Sequence, residues 1–294
     1  MSTDQFDLSI AIGGAAGQGI ATPGGILAQI ITRRGLHLNA YNAYQSIVRG
    51  GHIFLTIRIS DQKIETHGDQ LDVLVCLNQD TMDRHLGLIG PGGHVIFSGD
   101  KIKAGGPKPG VQLCPLPVAE ISNKSRNKVI QNTIALGVIT YLLGLDCKVL
   151  ETALTARFKS KGESVVDENV STARTSYKYA EENFDAYAQP IPQGSKPLAL
   201  WTGNDALAIG GAAAGVKFYA AYPMSPSTGV LHWMAQHARD LGILVRQAED
   251  EIAVANMVIG AAHVGCRAMC ATSGGGFALM TEAIGAAAMM EIPV

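Results

Sequence analysis

Three consecutive carboxylic acids, Glu249, Asp250 and Glu251, precede a segment in which almost every residue is apolar, residues 252–259. That pattern predicts a helix buried on nearly all sides, so a carboxyl at its start can be removed from water and can exchange a proton with a ligand. Helical periodicity does not choose among the acids, because Asp250 and Glu251 are both followed at i+4 and i+7 by apolar residues. Acidic residues at helix starts also simply complement the helix dipole, and that alternative stays open.

A second candidate site is the glycine-rich stretch at residues 13–19, which follows a short apolar run and precedes a helical pattern. Backbone N–H groups of Gly17, Gln18 and Gly19 at such a helix start favour an anion. The spacing is not Gly-x-Gly-x-x-Gly and residues 37–41 end without a ribose-binding acid, so a nicotinamide dehydrogenase is disfavoured; the missing Gly-Lys-Ser/Thr excludes a P-loop. Glycines that only permit a tight turn explain the pattern equally well.

The third candidate is the segment 222–228, which directly follows a predicted strand. The hydroxyl of Ser225 can hydrogen-bond the carboxylate or carbonyl of a substrate. Tyr222 and Met224 are expected to form the wall of a pocket, although such residues at a strand end are also ordinary core. Two prolines fix the turn, and Ser227 or Thr228 is expected to cap the next helix.

No metal is assigned to this chain. The five cysteines are odd in number and contain no Cys-x-x-Cys pair, so they indicate neither disulfides nor an iron–sulfur or zinc site, and buried structural thiols are expected. The eight histidines include no His-x-x-x-His pair next to a carboxylate.

These residues need two α/β frameworks to position them. In the first half, strands are predicted at residues 8–12, 52–59, 73–77, 94–98 and 111–115, with a helix from about 20 to 34 and helical character over 127–188. The Pro- and Gly-rich residues 189–197 are predicted to be a linker, so the first domain is expected to span residues 1–188.

The pattern then restarts over residues 198–294. Strands are predicted at 198–202, 217–222, 243–245 and 267–272, with helices between them and over 277–290. Another strand is predicted to begin at 292–294, so this domain is expected to be incomplete at its C-terminus. The fold class is α/β, with two tandem open, mostly parallel sheets that carry ligands at the carboxyl ends of their strands.

Composition narrows the functional classes. A chain of 294 residues with 47% hydrophobic residues can bury a sizeable core, and its formal net charge of −2 gives no attraction to nucleic acid or anionic membrane. No uninterrupted apolar run is long enough to span a membrane, and the first residues lack a basic signal-peptide region, so a cytoplasmic protein is expected.

Five short motifs that are far apart in the sequence carry a family resemblance. They are residues 14–20, 47–52, 222–228, 249–251 and 271–276. In this order they resemble the motifs of the fused γ-plus-α subunits of 2-oxoacid:ferredoxin oxidoreductases, most of all the 2-oxoglutarate enzymes. The resemblance spans the chain and implies a γ-like Rossmann-type domain followed by a domain that binds the pyrimidine of thiamine diphosphate.

The resemblance implies roles for particular residues. Thiamine diphosphate needs a carboxyl group at ring nitrogen N1′ in a water-poor site, and the matching residue is Glu251. The segment Tyr222, Pro223, Met224, Ser225 and Thr228 would contact the cofactor. The commoner family form has isoleucine and threonine where this chain has Met224 and Ser225, so the hydroxyl for substrate contact is kept.

The resemblance also implies partners. The family's diphosphate and Mg²⁺ motif and its [4Fe–4S] cysteines do not occur in this sequence, so both are expected on a β subunit in an (αβ)₂ assembly. Ferredoxin would accept the electrons, and coenzyme A, with Gly17, Gln18 and Gly19 as possible contacts, would accept the acyl group. Separately from the resemblance, the guanidinium of Arg49 could meet an anionic ligand or a carboxylate across a domain interface, and the interface is the favoured alternative.

Two other classes remain open. A non-redox thiamine diphosphate enzyme would share the glutamate but would not need the γ-like half. A non-catalytic module that binds a nucleotide or coenzyme A through the loop at Gly17 and Gly19 would need neither the glutamate nor a partner.

Overall fold

The computed structural model describes residues 5–43, 50–122, 125 and 130–294. The chain separates into two compact units, Met1–Leu200 and Trp201–Val294. The helices and strands of the first unit are, in chain order, β1 (Asp7–Ala16), α1 (Ala21–Arg33), β2 (His37–Ala43), β3 (Gly50–Ser60), β4 (Leu71–Cys76), α2 (Gln79–His85), β5 (Ile89–Ser98), β6 (Gln112–Leu116), α3 (Val118–Ile121), α4 (Ile130–Leu142), α5 (Cys147–Phe158) and α6 (Glu163–Asn183).

The strands of the first unit form one sheet with the order β2-β3-β1-β4-β5-β6. β1 runs parallel to β4, β4 to β5 and β5 to β6, while β3 is antiparallel to both of its neighbours. The predicted mostly parallel α/β fold is therefore confirmed. β1 lies in the middle of the sheet, so the glycine-rich segment leaves the sheet at its carboxyl edge, where ligands of such folds bind.

Apolar side chains cover both faces of the central strands. In β4, Val73 and Val75 belong to a core that also contains Ile134 of α4 and Leu150 of α5. Leu74 and Cys76 belong to a second core, on the side of α2. A strand that is buried on both faces reads as a continuous apolar run, which is why residues 73–77 were recognisable as a strand.

The region predicted as helical from residue 127 to 188 contains three separate described helices. Gly144 and Gly162 lie between them with φ of 66° and 98°, a left-handed conformation that favours glycine and interrupts a helix. Glycine at position 137 allows α4 and α6 to pack closely, since a Cβ there would overlap the backbone oxygen of Ala173.

Residues 189–197, predicted to be a linker, pack against the first unit. Arg34 donates through Nε to the Pro192 carbonyl at 2.7 Å and through Nη2 to the Ile191 carbonyl at 3.0 Å. The Ile191 side chain is buried in the main core of this unit. Gly194 donates its backbone N–H to the Arg34 carbonyl. The Pro- and Gly-rich composition thus indicates an irregular path here, and the segment is anchored along that path.

The elements of the second unit are α7 (Gly203–Ala213), β7 (Phe218–Ala221), α8 (Thr228–Leu241), β8 (Leu244–Gln247), α9 (Glu251–His263), β9 (Ala268–Cys270) and α10 (Gly275–Met289). The strands form a parallel sheet with the order β8-β7-β9. Each strand is followed by a helix, so the three strand-to-helix loops meet at the carboxyl edge of the sheet.

Residues 198–202 form no strand, and Thr202 is instead the N-cap of α7. The strand predicted to begin at residue 292 is not present either. α10 ends at Met289, Glu291 beyond it has a left-handed backbone conformation, and the backbone N–H of Ile292 donates to the carbonyl of Ala287. Ile292 is therefore engaged in closing the helix rather than in starting a strand. Across the described ranges of both units, no helix combines the length and apolarity needed to cross a membrane.

Candidate functional site

The structure gives three different environments to the three consecutive acids. Glu249 and Asp250 are exposed, whereas Glu251 is 3% exposed. Asp250 is the N-cap of α9, and its carboxylate accepts a hydrogen bond of 2.7 Å from the backbone N–H of Ala253. Asp250 therefore has the helix-capping role expected of an acid at a helix start, while the next residue places its carboxyl inside the protein.

The carboxyl of Glu251 lies beside the loop that follows β9. A Cβ built on Gly276 would lie 2.5 Å from Glu251 Oε1 and even closer to Thr272 Oγ1, so these two oxygens are near neighbours. Both are buried, and neither has a hydrogen-bond partner among the described residues. Buried polar atoms of this kind are normally paired, so a pair of unpaired oxygens at a strand's carboxyl edge is suited to holding a ligand.

Ser225 lies in the loop that follows β7, where it is exposed. Its backbone carbonyl accepts a hydrogen bond of 2.8 Å from Ser273 Oγ. The next carbonyl, that of Pro226, accepts one of 2.8 Å from Asn204 Nδ2 at the start of α7. The Ser225 hydroxyl itself makes no hydrogen bond to any described residue, so two neighbouring segments hold the backbone while the side chain stays available.

The capping prediction for Ser227 is wrong. Ser227 occupies the N-cap position of α8, but its backbone is helical and its hydroxyl caps no N–H; Oγ donates instead to the Met224 carbonyl at 2.7 Å. A serine side chain that turns back onto the preceding loop cannot also reach forward to the helix. Thr228 is the first residue of α8, and its N–H donates to the same carbonyl at 3.1 Å.

The other predicted contact residues occupy the same loop. Tyr222 and Pro223 are exposed and Met224 is half-buried. Pro223 and Thr228 also line an open groove of about 660 Å³ between α8 and the edge strand β8. This groove is lined mainly by apolar residues of α8 and β8, and Glu251 and Ser225 are not among its lining residues.

The loop after β9 connects the two predicted catalytic residues. Thr272 and Gly276 adjoin Glu251, and Ser273, between them, donates to the backbone of Ser225. Residues 271–276 form one of the five family motifs, but the motif alone predicts no role for Thr272, Ser273 or Gly276. A threonine and a serine beside glycines are typical of an ordinary turn, so sequence alone offers no signal beyond the position after a strand.

In the first unit, the structure explains the glycine-rich loop by its backbone. Gly17 and Gly19 have φ of 92° and 75°, values that favour glycine. Gln18 folds over Gly14, where its Oε1 accepts from the Ala15 N–H at 2.6 Å and its Nε2 donates to the Leu77 carbonyl at 3.3 Å. The Gln18 side-chain amide is thus engaged within the loop.

A cavity of about 300 Å³ lies beside this loop and the N-terminus of α1. Gly19, Asn132 and Lys161 are among its lining residues. Asn132 Nδ2 donates to the Gln18 carbonyl at 2.8 Å, while its buried Oδ1 has no partner among the described residues. No acidic residue occupies the first turn of α1, and no side chain caps it. An anion beside this helix start would be favoured by the helix dipole.

Arg49, the candidate for an anionic ligand or an interface, lies outside the described residues. His52 lies in β3 as expected and is hydrogen-bonded: its Nε2 is 2.7 Å from Nε2 of His85. The His85 ring also stacks on Phe54, with 3.8 Å between centroids. Burial, with the neighbouring His52 and Arg84, lowers the pKa of His85 to about 4, so this imidazole is neutral at physiological pH.

All five cysteines are free, and Cys76 and Cys114 are buried. Burial raises the pKa of each of these two thiols to about 12, which makes them unreactive core residues. Within the described ranges, no group of three or more His, Cys, Asp or Glu side chains could hold a metal ion.

Two regions of the chain match known family profiles. Residues 9–179 match the family described as pyruvate ferredoxin/flavodoxin oxidoreductase. Residues 210–294 match the thiamine diphosphate-binding region described as pyruvate flavodoxin/ferredoxin oxidoreductase, thiamine diP-bdg. The second match contains Ser225, Glu251, Thr272 and Gly276.

Similar proteins support the same assignment. A 2-oxoacid:ferredoxin oxidoreductase subunit alpha from Sulfolobus is 29% identical over 98% of this chain and 53% of its own length. The 2-oxoglutarate oxidoreductase subunit KorA of Mycobacterium tuberculosis is 30% identical over 81% of this chain and 41% of its own. Among solved structures, the 2-oxoglutarate:ferredoxin oxidoreductase from Magnetococcus marinus, with 2-oxoglutarate, coenzyme A and succinyl-CoA bound, matches with a TM-score of 0.85 at 30% identity.

That last match covers 98% of this chain and 51% of the other, so the chain spans about half the length of the relatives it matches. The resemblance drawn from the five sequence motifs is confirmed: the chain belongs to the pyruvate ferredoxin/flavodoxin oxidoreductase family.

Proposed function

We propose that this chain is a subunit of an enzyme that oxidatively decarboxylates a 2-oxoacid, 2-oxoglutarate in the first instance, to the acyl-CoA and CO₂ with transfer of electrons to ferredoxin. Its second unit supplies the side of the thiamine diphosphate site that faces the aminopyrimidine ring. The relatives named as 2-oxoglutarate enzymes support the choice of substrate.

The observation that carries this proposal is the environment of Glu251. Its carboxyl is buried at the start of α9, and Oε1 has no protein partner among the described residues. Glycine at position 276 lets this carboxyl lie against the backbone of the loop after β9, because a Cβ there would lie 2.5 Å from Glu251 Oε1. A carboxyl shielded from water, with one oxygen free, fits the demand of a ring nitrogen that must receive and return a proton.

Thiamine diphosphate, when bound, supplies the carbon nucleophile that attacks the 2-oxoacid. Glu251 holds a proton at ring nitrogen N1′ and takes it back. Ser225, with its backbone fixed by Ser273 and its hydroxyl free, donates a hydrogen bond to the carboxylate or carbonyl of the substrate. Tyr222, Pro223, Met224 and Thr228 shape the surrounding wall.

The remaining parts of the reaction need a partner. A β subunit would carry the diphosphate and Mg²⁺ ligands and the [4Fe–4S] cluster, in an (αβ)₂ assembly that reduces ferredoxin in the cytoplasm. Coenzyme A would approach the loop at Gly17 and Gly19, beside the cavity next to α1. Two features of that cavity favour an anionic group of the coenzyme: the uncapped N-terminus of α1 and the side chain of Lys161. Arg49 is proposed to bind an anionic group or to lie at an interface.

The test is purification of the native assembly from its source. We expect thiamine in stoichiometric amount, a brown iron–sulfur spectrum, and 2-oxoglutarate-dependent reduction of ferredoxin that requires coenzyme A. The isolated chain should be colourless and inactive. Stoichiometric iron and sulfide on the isolated chain would contradict the proposal that the β subunit carries the cluster. An assembly without thiamine would reject the proposed function.

A matched variant series tests the role of Glu251 in that assembly. Glu251→Gln keeps the size of the side chain but cannot exchange the proton, so hydrogen–deuterium exchange at thiamine C2 should slow by roughly 10²–10⁴-fold. Asp250→Asn and Glu249→Gln are the controls, because both side chains are exposed. Equal and small effects in all three variants would remove Glu251 from the proton transfer.

A further inference from the structure

Glu251 is not the only buried group at this site without a partner. Thr272 Oγ1, in the loop after β9, is also shielded from solvent and has no hydrogen-bond partner in the described part of the chain. Burying a hydroxyl without a partner destabilises a fold, and so does burying an unpaired carboxyl oxygen. The two occur side by side, which is the pattern of a site kept for a ligand at the expense of stability.

The glycine at position 276 belongs to the same arrangement. Unlike Gly274, whose φ is 51°, Gly276 has no left-handed backbone that would favour glycine, and it lies near the N-terminus of α10. Glycine is needed there for space, because a Cβ would overlap both Thr272 Oγ1 and Glu251 Oε1. Glycine at position 276 therefore leaves free the volume into which both oxygens extend.

The chemistry of a hydroxyl suits a neighbour that changes its protonation. An ionised carboxylate only accepts hydrogen bonds, whereas a protonated carboxyl also donates one. A threonine hydroxyl can rotate to donate in the first case and to accept in the second. Valine has the same shape and can do neither.

We propose that Thr272 is a positioning residue for Glu251: when thiamine diphosphate is bound, the Thr272 hydroxyl hydrogen-bonds to the Glu251 carboxyl and holds it toward the ring nitrogen. This inference rests on the proposed function. Thr272 would affect the cofactor only by orienting Glu251. The same loop also contacts Ser225, because Ser273 donates to the Ser225 backbone carbonyl.

The test compares Thr272→Val with Thr272→Ser in the native assembly. Loss of one hydrogen bond that orients the carboxyl should weaken binding of thiamine diphosphate, followed by fluorescence titration, about tenfold, and slow C2 deuterium exchange to a similar extent. Thr272→Ser should restore both values to within about twofold, since serine retains the hydroxyl.

Stability of the chain provides an independent readout. Because Thr272 Oγ1 has no partner among the described residues, Thr272→Val should leave the Tm of the isolated chain unchanged or raise it. The matched control is Thr281→Val on α10, where the threonine is exposed and its hydroxyl donates to the Ala278 carbonyl. This control should bind thiamine diphosphate as the wild type does.

A double-mutant cycle separates action through Glu251 from direct contact with the cofactor. If Thr272 acts through the carboxyl, Thr272→Val should slow C2 exchange little further in a Glu251→Gln background. An undiminished effect in that background would overturn the proposal, and so would wild-type binding and exchange in the single Thr272→Val variant. A wild-type assembly that binds no thiamine diphosphate would instead reject the proposed function itself.

Discussion

The hydroxyl of Ser273 donates a hydrogen bond of 2.8 Å to the backbone carbonyl of Ser225. This contact joins the loop after β9 to the loop after β7, at the carboxyl edge of neighbouring parallel strands. It fixes the backbone of a residue whose own hydroxyl is free to meet a ligand. The relationship predicts that Ser273 supports substrate binding without touching substrate.

We expect Ser273→Ala to lower kcat/KM for the 2-oxoacid by roughly 2–10-fold, the equivalent of one neutral hydrogen bond of about 0.5–1.5 kcal/mol. Steady-state kinetics of the assembled enzyme measure this effect. Ser171→Ala is the control, since this exposed serine on α6 donates only within its own helix, to the Glu168 carbonyl. Equal kinetics for the two variants would show that the inter-loop contact is dispensable.

Ser225 itself should respond differently to its two nearest substitutions. Ser225→Ala removes the hydroxyl and should lower kcat/KM by an amount equivalent to about 1–3 kcal/mol of lost transition-state binding. Ser225→Thr keeps the hydroxyl and should retain most of the activity. The measurement is kcat/KM over a range of 2-oxoacids. Full activity of the alanine variant would leave Ser225 with a role in turn structure alone.

Asp250 and Glu251 are adjacent, but their replacement should affect different properties. Asp250→Ala removes the N-cap of α9 and should lower the free energy of unfolding of the isolated chain by about 0.5–2 kcal/mol. Glu251→Gln removes a buried carboxyl whose Oε1 has no hydrogen-bond partner among the described residues, so stability should be unchanged or higher. Urea denaturation checks both, and a larger loss for Glu251→Gln would contradict the prediction.

Gly276→Ala should fill the space beside Glu251 and Thr272. The new methyl would lie 2.5 Å from Glu251 Oε1 and 2.9 Å from Glu251 Cγ, so side chains must move at a cost of about 1–3 kcal/mol. We expect thiamine diphosphate to be retained poorly through gel filtration of the assembly. Gly285→Ala on the same helix is the matched control, because a Cβ there meets nothing within 4 Å.

The stability of the chain should depend on pH through His85. Its pKa is lowered from 6.5 to about 4, chiefly by burial, with His52 and Arg84 acting in the same direction and Asp80 against them. As the pH falls below 6.5, the unfolded state takes up a proton that the folded state refuses until about pH 4, so the free energy of unfolding decreases over this window. His85→Gln should flatten that part of the dependence of Tm on pH; an unchanged slope would contradict this assignment.

Much of the framework could be predicted from the sequence, because strands such as residues 73–77 are apolar on both faces and glycines separate them from helices. The strands of the second unit could be predicted in the same way: β7 and β9 lie within the predicted runs, and β8 overlaps its run but extends two residues further, to Gln247. Local pattern failed where tertiary hydrogen bonds decide the outcome: Ser227 turns back to Met224, and Ile292 closes α10.

The site was only partly predictable. Periodicity could not choose between Asp250 and Glu251, since the choice depends on which carboxyl faces the loop after β9, a contact made across the sheet. Thr272 and Gly276 were missed as individual residues for the same reason. Their significance comes from a common neighbour about 20 residues earlier in the chain, and no local rule relates them to it.

Gly276 has a consequence for how essential residues are identified in proteins of this kind. A screen that replaces each position by alanine would score Gly276 as strongly as a group that handles protons, although glycine carries no functional group at all. The same screen would score Gly285, about two and a half turns further along the helix, as neutral. Sensitivity to substitution at this edge of the sheet therefore measures the volume of a side chain as well as its reactivity. Comparing Gly276→Ala, which adds a methyl group, with Thr272→Val, which removes a hydroxyl, tells the two effects apart.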